Sequence, residues 1–170
     1  KILPNADLSA VADITLVTDK DVALVKKVLE LIDPASDVTF VATSKISAKD
    51  ANDISKALST GVITATLKDG GIAATLKALA DVDVAGGDTD VLKFTATDKS
   101  AKASDIAALD AKLGTANTDF ASVKTVTGTA ADAASGDIAA ALALIDSAPA
   151  TNFTEVKISG NVDVTDIKAI

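Results

Sequence analysis

The 170-residue sequence predicts an α/β fold of repeated strand–helix units, and three observations carry that prediction. Short runs rich in β-branched residues alternate along the chain with longer amphipathic or Ala-rich stretches. A small Asp-Ile signature returns near the start of the helical stretches. The strand-like runs themselves alternate apolar residues with Thr or Lys, the pattern of a sheet covered on one face only.

The first unit, residues 13–32, opens with a strand over Ile14–Thr18 and continues as a helix over Asp21–Ile32. There Val22, Val25, Leu29 and Ile32 fall on one face, with Lys26, Lys27 and Glu30 off it. The second unit, 38–58, joins the strand Val38–Thr43 to the helix Ala48–Leu58, and the third, 61–80, joins Val62–Leu67 to Gly71–Ala80. The fourth, 90–113, joins Val91–Thr97 to Lys102–Leu113, and the fifth, 121–146, joins Val123–Thr127 to Ala130–Ile145. The sixth, 153–170, has the strand Phe153–Ile158 and a helix that begins near Asp163 and reads as truncated.

The signature is clearest in Asp53-Ile-Ser-Lys-Ala-Leu58, Asp105-Ile-Ala-Ala-Leu109, Asp137-Ile-Ala-Ala-Ala-Leu142 and Asp166-Ile-Lys-Ala-Ile170. Asp21-Val22 and Gly71-Ile72 take its place in the first and third units. The six anchors are 32, 18, 34, 32 and 29 residues apart, so one short unit interrupts a period near 30, the mark of a repeat architecture. Asp then sits near the positive end of each helix, while Ile and Leu turn toward the sheet.

Strands joined through helices run parallel, with right-handed crossovers. The strands choose between the two architectures that fit. Leu92, Phe94 and Ala96 alternate with Lys93, Thr95 and Thr97, Val123 with Lys124, and Val156 and Ile158 flank Lys157. The expectation is therefore one domain, an α/β solenoid with a parallel sheet and helices on one face. Phe40 and Phe94 point into its core, and Lys93 and Lys124 lie on the opposite face. Val41, Ile63 and Val126 break the alternation and keep a doubly wound parallel sheet as the alternative.

Composition excludes more than it asserts. All 16 basic residues are Lys, the 24 acidic ones are 22 Asp and 2 Glu, and the net charge is −8. There is no His, Arg, Cys, Met, Trp or Tyr. The commonest general base, the thiol nucleophile and zinc ligand, and the bidentate phosphate clamp are all missing. An acidic, Arg-free chain with four Phe as its only aromatics lacks the surface and the stacking platform for nucleic acid. The longest apolar run, Ile138–Ile145, is far short of the roughly 20 residues of a membrane span. Ser135-Gly136-Asp137 has no His partner, and no spacing singles out a catalytic Asp or Lys, so no enzyme is expected. The opening at Lys1, without a signal-like segment, reads as a processed or excised chain.

Gly61-Val-Ile-Thr-Ala-Thr-Leu-Lys-Asp69, Phe94-Thr-Ala-Thr-Asp98, Ser104-Asp-Ile-Ala-Ala-Leu-Asp-Ala111 and Val126-Thr-Gly-Thr-Ala-Ala-Asp132 resemble repeats of very large secreted or cell-surface bacterial proteins. These are of the cyanobacterial type, and they often carry repeats-in-toxin calcium modules elsewhere in the chain. The resemblance covers nearly everything from Ile14 onward. It implies an extracellular structural, adhesive or surface-layer role and carries no functional residue across. The truncated sixth unit leaves Val156 and Ile158 without a complete helix above them, which predicts association with neighbouring repeats of the same or identical chains, as a homo-oligomer, filament or array. The calcium-binding nonapeptide itself is absent, and Gly86-Gly-Asp-Thr-Asp90 is a distant echo.

The alternative is a ligand-binding module, for calcium or a surface glycan. The richest acidic stretch, Asp81–Asp90, offers Asp81, Asp83, Asp88 and Asp90 as oxygen ligands for Ca²⁺, with Gly86 and Gly87 allowing a tight turn. Against the EF-hand spacing, Asp81, Asp83 and Gly86 fall at positions 1, 3 and 6, but Ala85 and Leu92 stand where two further ligands belong. The Thr64/Thr66, Thr95/Thr97 and Thr125/Thr127 pairs suggest a hydroxyl array of the ice-binding kind. Their register is imperfect, and Thr is in any case a good strand residue for a solvent face.

Overall fold

Parallel strands cannot be closed by a tight turn, so each must be followed by a segment long enough to carry the chain back. The computed structural model, which describes residues 13–16, 21–31, 38–58, 61–80, 82, 90–146 and 155–161, shows an α/β chain with parallel sheets. The chain divides into two compact units, Lys1–Lys68 with Ala78–Lys93, and Asp69–Lys77 with Phe94–Ile170.

In the first unit the order is β1 (Asp13–Leu16), α1 (Val22–Leu29), β2 (Thr39–Ala42), α2 (Ala48–Leu58), β3 (Val62–Thr66) and the start of β4 (Val91–Thr95). The strands lie side by side in chain order, with Ile14 opposite Phe40, Phe40 opposite Ile63 and Ala65 opposite Leu92. That row is buried at Phe40, Ile63, Ala65 and Leu92, whereas Thr64 and Lys93 are exposed. α1 packs on β1 and α2, and α2 on β3, with Val25, Leu29, Ile54 and Leu58 buried. Gly61 sets how β3 enters. A Cβ there would lie 2.3 Å from the Val38 carbonyl, the group that accepts the Val62 N–H, so only glycine lets the two strands pair from their first residues.

The second unit holds most of α3 (Ile72–Ala78), the end of β4, β5 (Ser100–Lys102), α4 (Ala103–Leu113), β6 (Thr118–Asp119), β7 (Thr125–Thr129), α5 (Ala130–Ala134), α6 (Asp137–Asp146) and β8 (Glu155–Ser159). Phe94 and Thr95 pair with Thr118 and Asp119. β5, β7 and β8 form a second parallel ladder, again in chain order, with Ala101 opposite Val126 and Val126 opposite Val156. α4 packs on α6 and β7, and its Ile106, Leu109 and Leu113 are buried, as are Ile138, Ala141 and Ile145 of α6.

Several elements depart from expectation. The fifth strand starts at Thr125, because Val123 is buried in the turn where its N–H donates to the Phe120 carbonyl. β5 and β6 were not expected at all. The helix read as continuous from Ala130 to Ile145 breaks at Ser135–Gly136, where Gly136 has φ +84, a conformation that favours glycine. Lys124 is half-buried with its ammonium on the Ala121 carbonyl at 2.9 Å, so it does not join Lys93 on the open face. The start of the sixth strand at Phe153, the helix near Asp163, and the ends of the first strand and helix at Val17–Thr18 and Ile32 lie outside the described residues.

Phe94, 2% exposed, is a direct measure of this one-sided burial. Phe94→Ala is expected to lower the unfolding free energy by about 3–5 kcal/mol in denaturant titrations, through lost burial and the cavity left behind. Lys93→Ala on the exposed row should change it by no more than about 0.5 kcal/mol. Comparable losses from both would mean that the Thr/Lys row is covered as well.

Candidate functional site

Of the four Asp expected to ligate calcium, Asp81, Asp83 and Asp88 lie outside the described residues. Asp90 is described, and it faces inward. It is buried just ahead of β4, where its Oδ1 accepts the Ile63 N–H at 2.8 Å and its Oδ2 accepts the Ser55 hydroxyl at 2.9 Å. One carboxylate thus ties the start of β3 to α2. Among the described residues no group of three or more Asp or Glu is placed to hold a metal ion.

Sequence reasoning missed a groove of about 410 Å³ within the second unit. Gly71–Ala74, at and just before the first turn of α3, form one wall; Asp98 and β5 form the floor; Asp105 of α4 and Thr127 of β7 close it. Asp98 is held firmly, because Ser122 Oγ donates to the carbonyls of Ala96 (2.6 Å) and Asp98 (3.1 Å). The Asp98 Oδ2 accepts the Ile72 N–H at 2.6 Å and so satisfies an orphan donor at the start of α3. A Cβ on Gly71 would stand in ordinary van der Waals contact with Asp98 Oδ1, at 3.4 Å. A smaller recess of about 230 Å³ shares Lys102 and Thr127 with the groove and reaches Thr129, Asp132 and Ser159. The smaller recess lies at the carboxyl ends of β5, β7 and β8, the end at which parallel α/β sheets place their ligands, and the groove runs along β5.

The walls of the smaller recess are locally rigid. Thr129 and Asp132 form a reciprocal capping box at α5: Thr129 Oγ1 accepts the Asp132 N–H at 3.2 Å and Asp132 Oδ2 accepts the Thr129 N–H at 2.6 Å. The bonds from the Thr129 backbone and hydroxyl hold the Asp132 carboxyl below the usual carboxylate range. Ser47-x-x-Asp50 repeats half of the device before α2, with the Asp50 N–H donating to Ser47 Oγ at 3.1 Å and the Ser47 hydroxyl donating to Asp50 Oδ2 at 2.6 Å. Both words were present in the sequence as a signal.

The strongest charge cluster is in the first unit. Lys26 of α1 donates to Asp50 (2.8 Å) and Asp53 (2.6 Å) of α2, and Lys49 donates to Asp53 at 2.8 Å. Burial opposes the charge on Lys26, but its two hydrogen bonds outweigh that and raise its pKa. Burial likewise opposes the Asp50 charge and is outweighed by bonds from Lys26 and Ser47, while Asp53 is lowered first by Lys26 and then by Lys49. Ser135 is exposed and donates to the Asp132 carbonyl and the Asp137 carboxylate, as a turn hydroxyl does. Of the Thr pairs, Thr64, Thr95 and Thr97 are exposed, and Thr127 Oγ1 bonds the Ala101 carbonyl at 3.2 Å. The chain matches no protein-family model, no curated protein and no solved structure.

Two outcomes follow from these side chains. Asp90→Ala leaves the Ile63 N–H without its acceptor and should cost about 1–3 kcal/mol, by the same amount in chelator and in excess Ca²⁺. A wild-type melting temperature that rises with Ca²⁺, beside a variant that does not respond, would return Asp90 to the role of ligand. Lys26→Met should cost about 1 kcal/mol at neutral pH, because the carboxylates are about a third exposed and solvent screens them. Asp50 and Asp53 titrate lower folded than unfolded, so their contribution is present above about pH 4 and is lost as pH falls through their depressed values. The difference between wild type and variant should therefore shrink in acid, as followed by denaturation across that range.

Proposed function

We propose that this chain is a non-catalytic structural or adhesive module of a secreted or cell-surface bacterial protein. In this reading its strand–helix units are turns of an α/β solenoid, with helices on one face, that stack on neighbouring units of the same or identical chains. The chain-order ladder carries the proposal: β1 through β4 in the first unit and β5, β7 and β8 in the second are each parallel and sequential. Sequential parallel strands with a helix in each return are what a solenoid of this class requires. The exposed row at Thr64 and Lys93 supports a single helix layer. The lack of any His or Cys, and the use of hydroxyl–carboxylate pairs as helix and turn caps, support a role without catalysis. Among the described residues no helix is long and apolar enough to cross a membrane.

α1 supplies a surface for stacking. Leu24 of α1 and Leu31 in the turn just beyond it are 50% and 56% exposed, with Val28 of α1 half-buried between them. At 3.6 residues per turn Leu24 and Val28 lie about 160° round the helix from Lys26, which is engaged by α2. One flank of α1 is therefore covered by its neighbour, and the other presents an apolar stripe.

Sedimentation equilibrium over a wide concentration range tests the proposal. Self-association is expected, weakened at least about tenfold by Leu24→Lys with Leu31→Lys, since each Leu buries about 1.5–3 kcal/mol of transfer free energy. A chain that stays monomeric at every concentration, or associates equally well with both Leu replaced, sinks the stacking reading.

A further inference from the structure

We infer that the outer edge of β8 pairs antiparallel with the same strand of a second copy, closing a two-fold dimer centred on Val156. β8 ends the β5-β7-β8 ladder, and among the described residues no strand pairs with its far side. Its bonding to β7 begins with the Glu155 N–H, which donates to the Lys124 carbonyl at 3.1 Å. By the alternation of a strand, the backbone groups of Glu155, Lys157 and Ser159 then face β7, and those of Val156 and Ile158 point away from it. The side chains of Val156 and Ile158 are only half-buried, although Val126, opposite Val156 on β7, is fully buried. Such an edge is a template for one more strand.

The charges on β8 select a second copy as the occupant. Glu155 and Lys157 share the exposed face, their side chains 47% and 63% exposed and joined by an ion pair at 2.6 Å. Charge of a single sign guards an edge, because an identical strand brings the same charge to face it. Here the sign alternates, so an antiparallel copy centred on Val156 sets Glu155 opposite Lys157 twice. The outward-facing backbone groups must meet one another, which leaves few other registers. Centring on Glu155 or on Lys157 puts two like charges face to face. Centring on Ile158 brings Gly160, with φ +99, into the ladder opposite Val156 and takes Glu155 away from Lys157. In the remaining register Val156 meets Val156 across the axis as a hydrogen-bonded pair, an isologous contact of the kind that makes two-fold dimers. The dimer goes beyond the stacking proposal and stands without it, since it uses no residue of α1 and closes at two copies.

The test is sedimentation equilibrium of the 170-residue chain carrying Leu24→Lys and Leu31→Lys, so that contact through α1 is removed. A monomer–dimer equilibrium that stops at two copies is expected. In that background Glu155→Lys alone and Lys157→Glu alone should each weaken the dimer at least about tenfold, because each sets like charges opposite one another twice. The two changes together restore the antiparallel match and should bring the dissociation constant back to within about threefold of its starting value. Both side chains are exposed and their ion pair is with each other, so the fold does not depend on them. Hydrogen exchange supplies a second readout: the Val156 amide should be protected in the dimer and exchange freely in the monomer, whereas the Glu155 amide, already bonded to β7, should be protected in both. A chain that stays monomeric, growth past two copies, single reversals without effect, a double swap that fails to restore the dimer, or a Val156 amide that exchanges freely in the dimer would each overturn the assignment. Restoring Leu24 and Leu31 tests stacking separately, as growth beyond the dimer.

Discussion

Short carboxylates on backbone N–H groups hold these strand–helix units together. Asp90 reaches the Ile63 N–H, Asp98 the Ile72 N–H, Asp119 the Ala121 N–H and Asp132 the Thr129 N–H. Each satisfies a donor that the start of a strand, a helix or a turn would otherwise leave open. A bond from a charged acceptor is worth about twice a neutral one, and a buried donor left without its acceptor costs about 1–3 kcal/mol. At Asp119 and Asp132 the N–H lies within three residues of the carboxylate, a reach that suits the short side chain of Asp better than that of Glu. One further methylene moves the oxygens away from the nearby N–H and adds a rotor that ordering must freeze.

With the ends of the elements satisfied in this way, the interior is built from small and branched residues. Phe40, Phe94 and Phe120 are buried, but most of the core is Ile, Leu, Val and Ala. Ala51, Ala103, Ala133 and Ala141 are fully buried, which brings helix and strand backbones close. The closest approaches fall at glycine. A Cβ on Gly128 would stand 2.9 Å from Ile138 Cδ1, so β7 and α6 meet where β7 has no side chain. Such packing relies on many modest contacts rather than a few large ones, and close-packed interiors of this kind feel a change of even one methylene.

The parts of this fold that the sequence made legible are those where side chains, not backbone, decide. β-Branched runs located β2, β3, β4 and β8, the 3.6-residue period located α1, and the Asp-Ile signature located α2 and α4, whose Ile and Leu are buried. β5 reads Ser-Ala-Lys and β6 reads Thr-Asp, which carry no apolar row; their neighbours in the ladder make them strands. The break at Gly136 was hidden in an Ala-rich stretch that favours helix on either side. The groove was illegible for another reason. Its walls come from residues 71–74, 98–105 and 127, which only the return of the chain through successive units brings together. Asp90 shows the converse, since its sequence neighbours made it look like a metal ligand while its spatial neighbours, Ile63 and Ser55, occupy both oxygens.

Charge constrains what the two surface features can do. At a net −8, two copies of this chain repel, and at physiological salt that repulsion fades beyond about 8 Å. Contact across α1 therefore has to come from apolar burial at short range, which is what Leu24, Val28 and Leu31 offer and what the Lys26–Asp50–Asp53 cluster on the other flank does not. The same field acts on the groove. It disfavours anions there within the same range of about 8 Å. Short-range contact, without long-range attraction, is thus what an acidic, arginine-free composition leaves for an encounter between two copies.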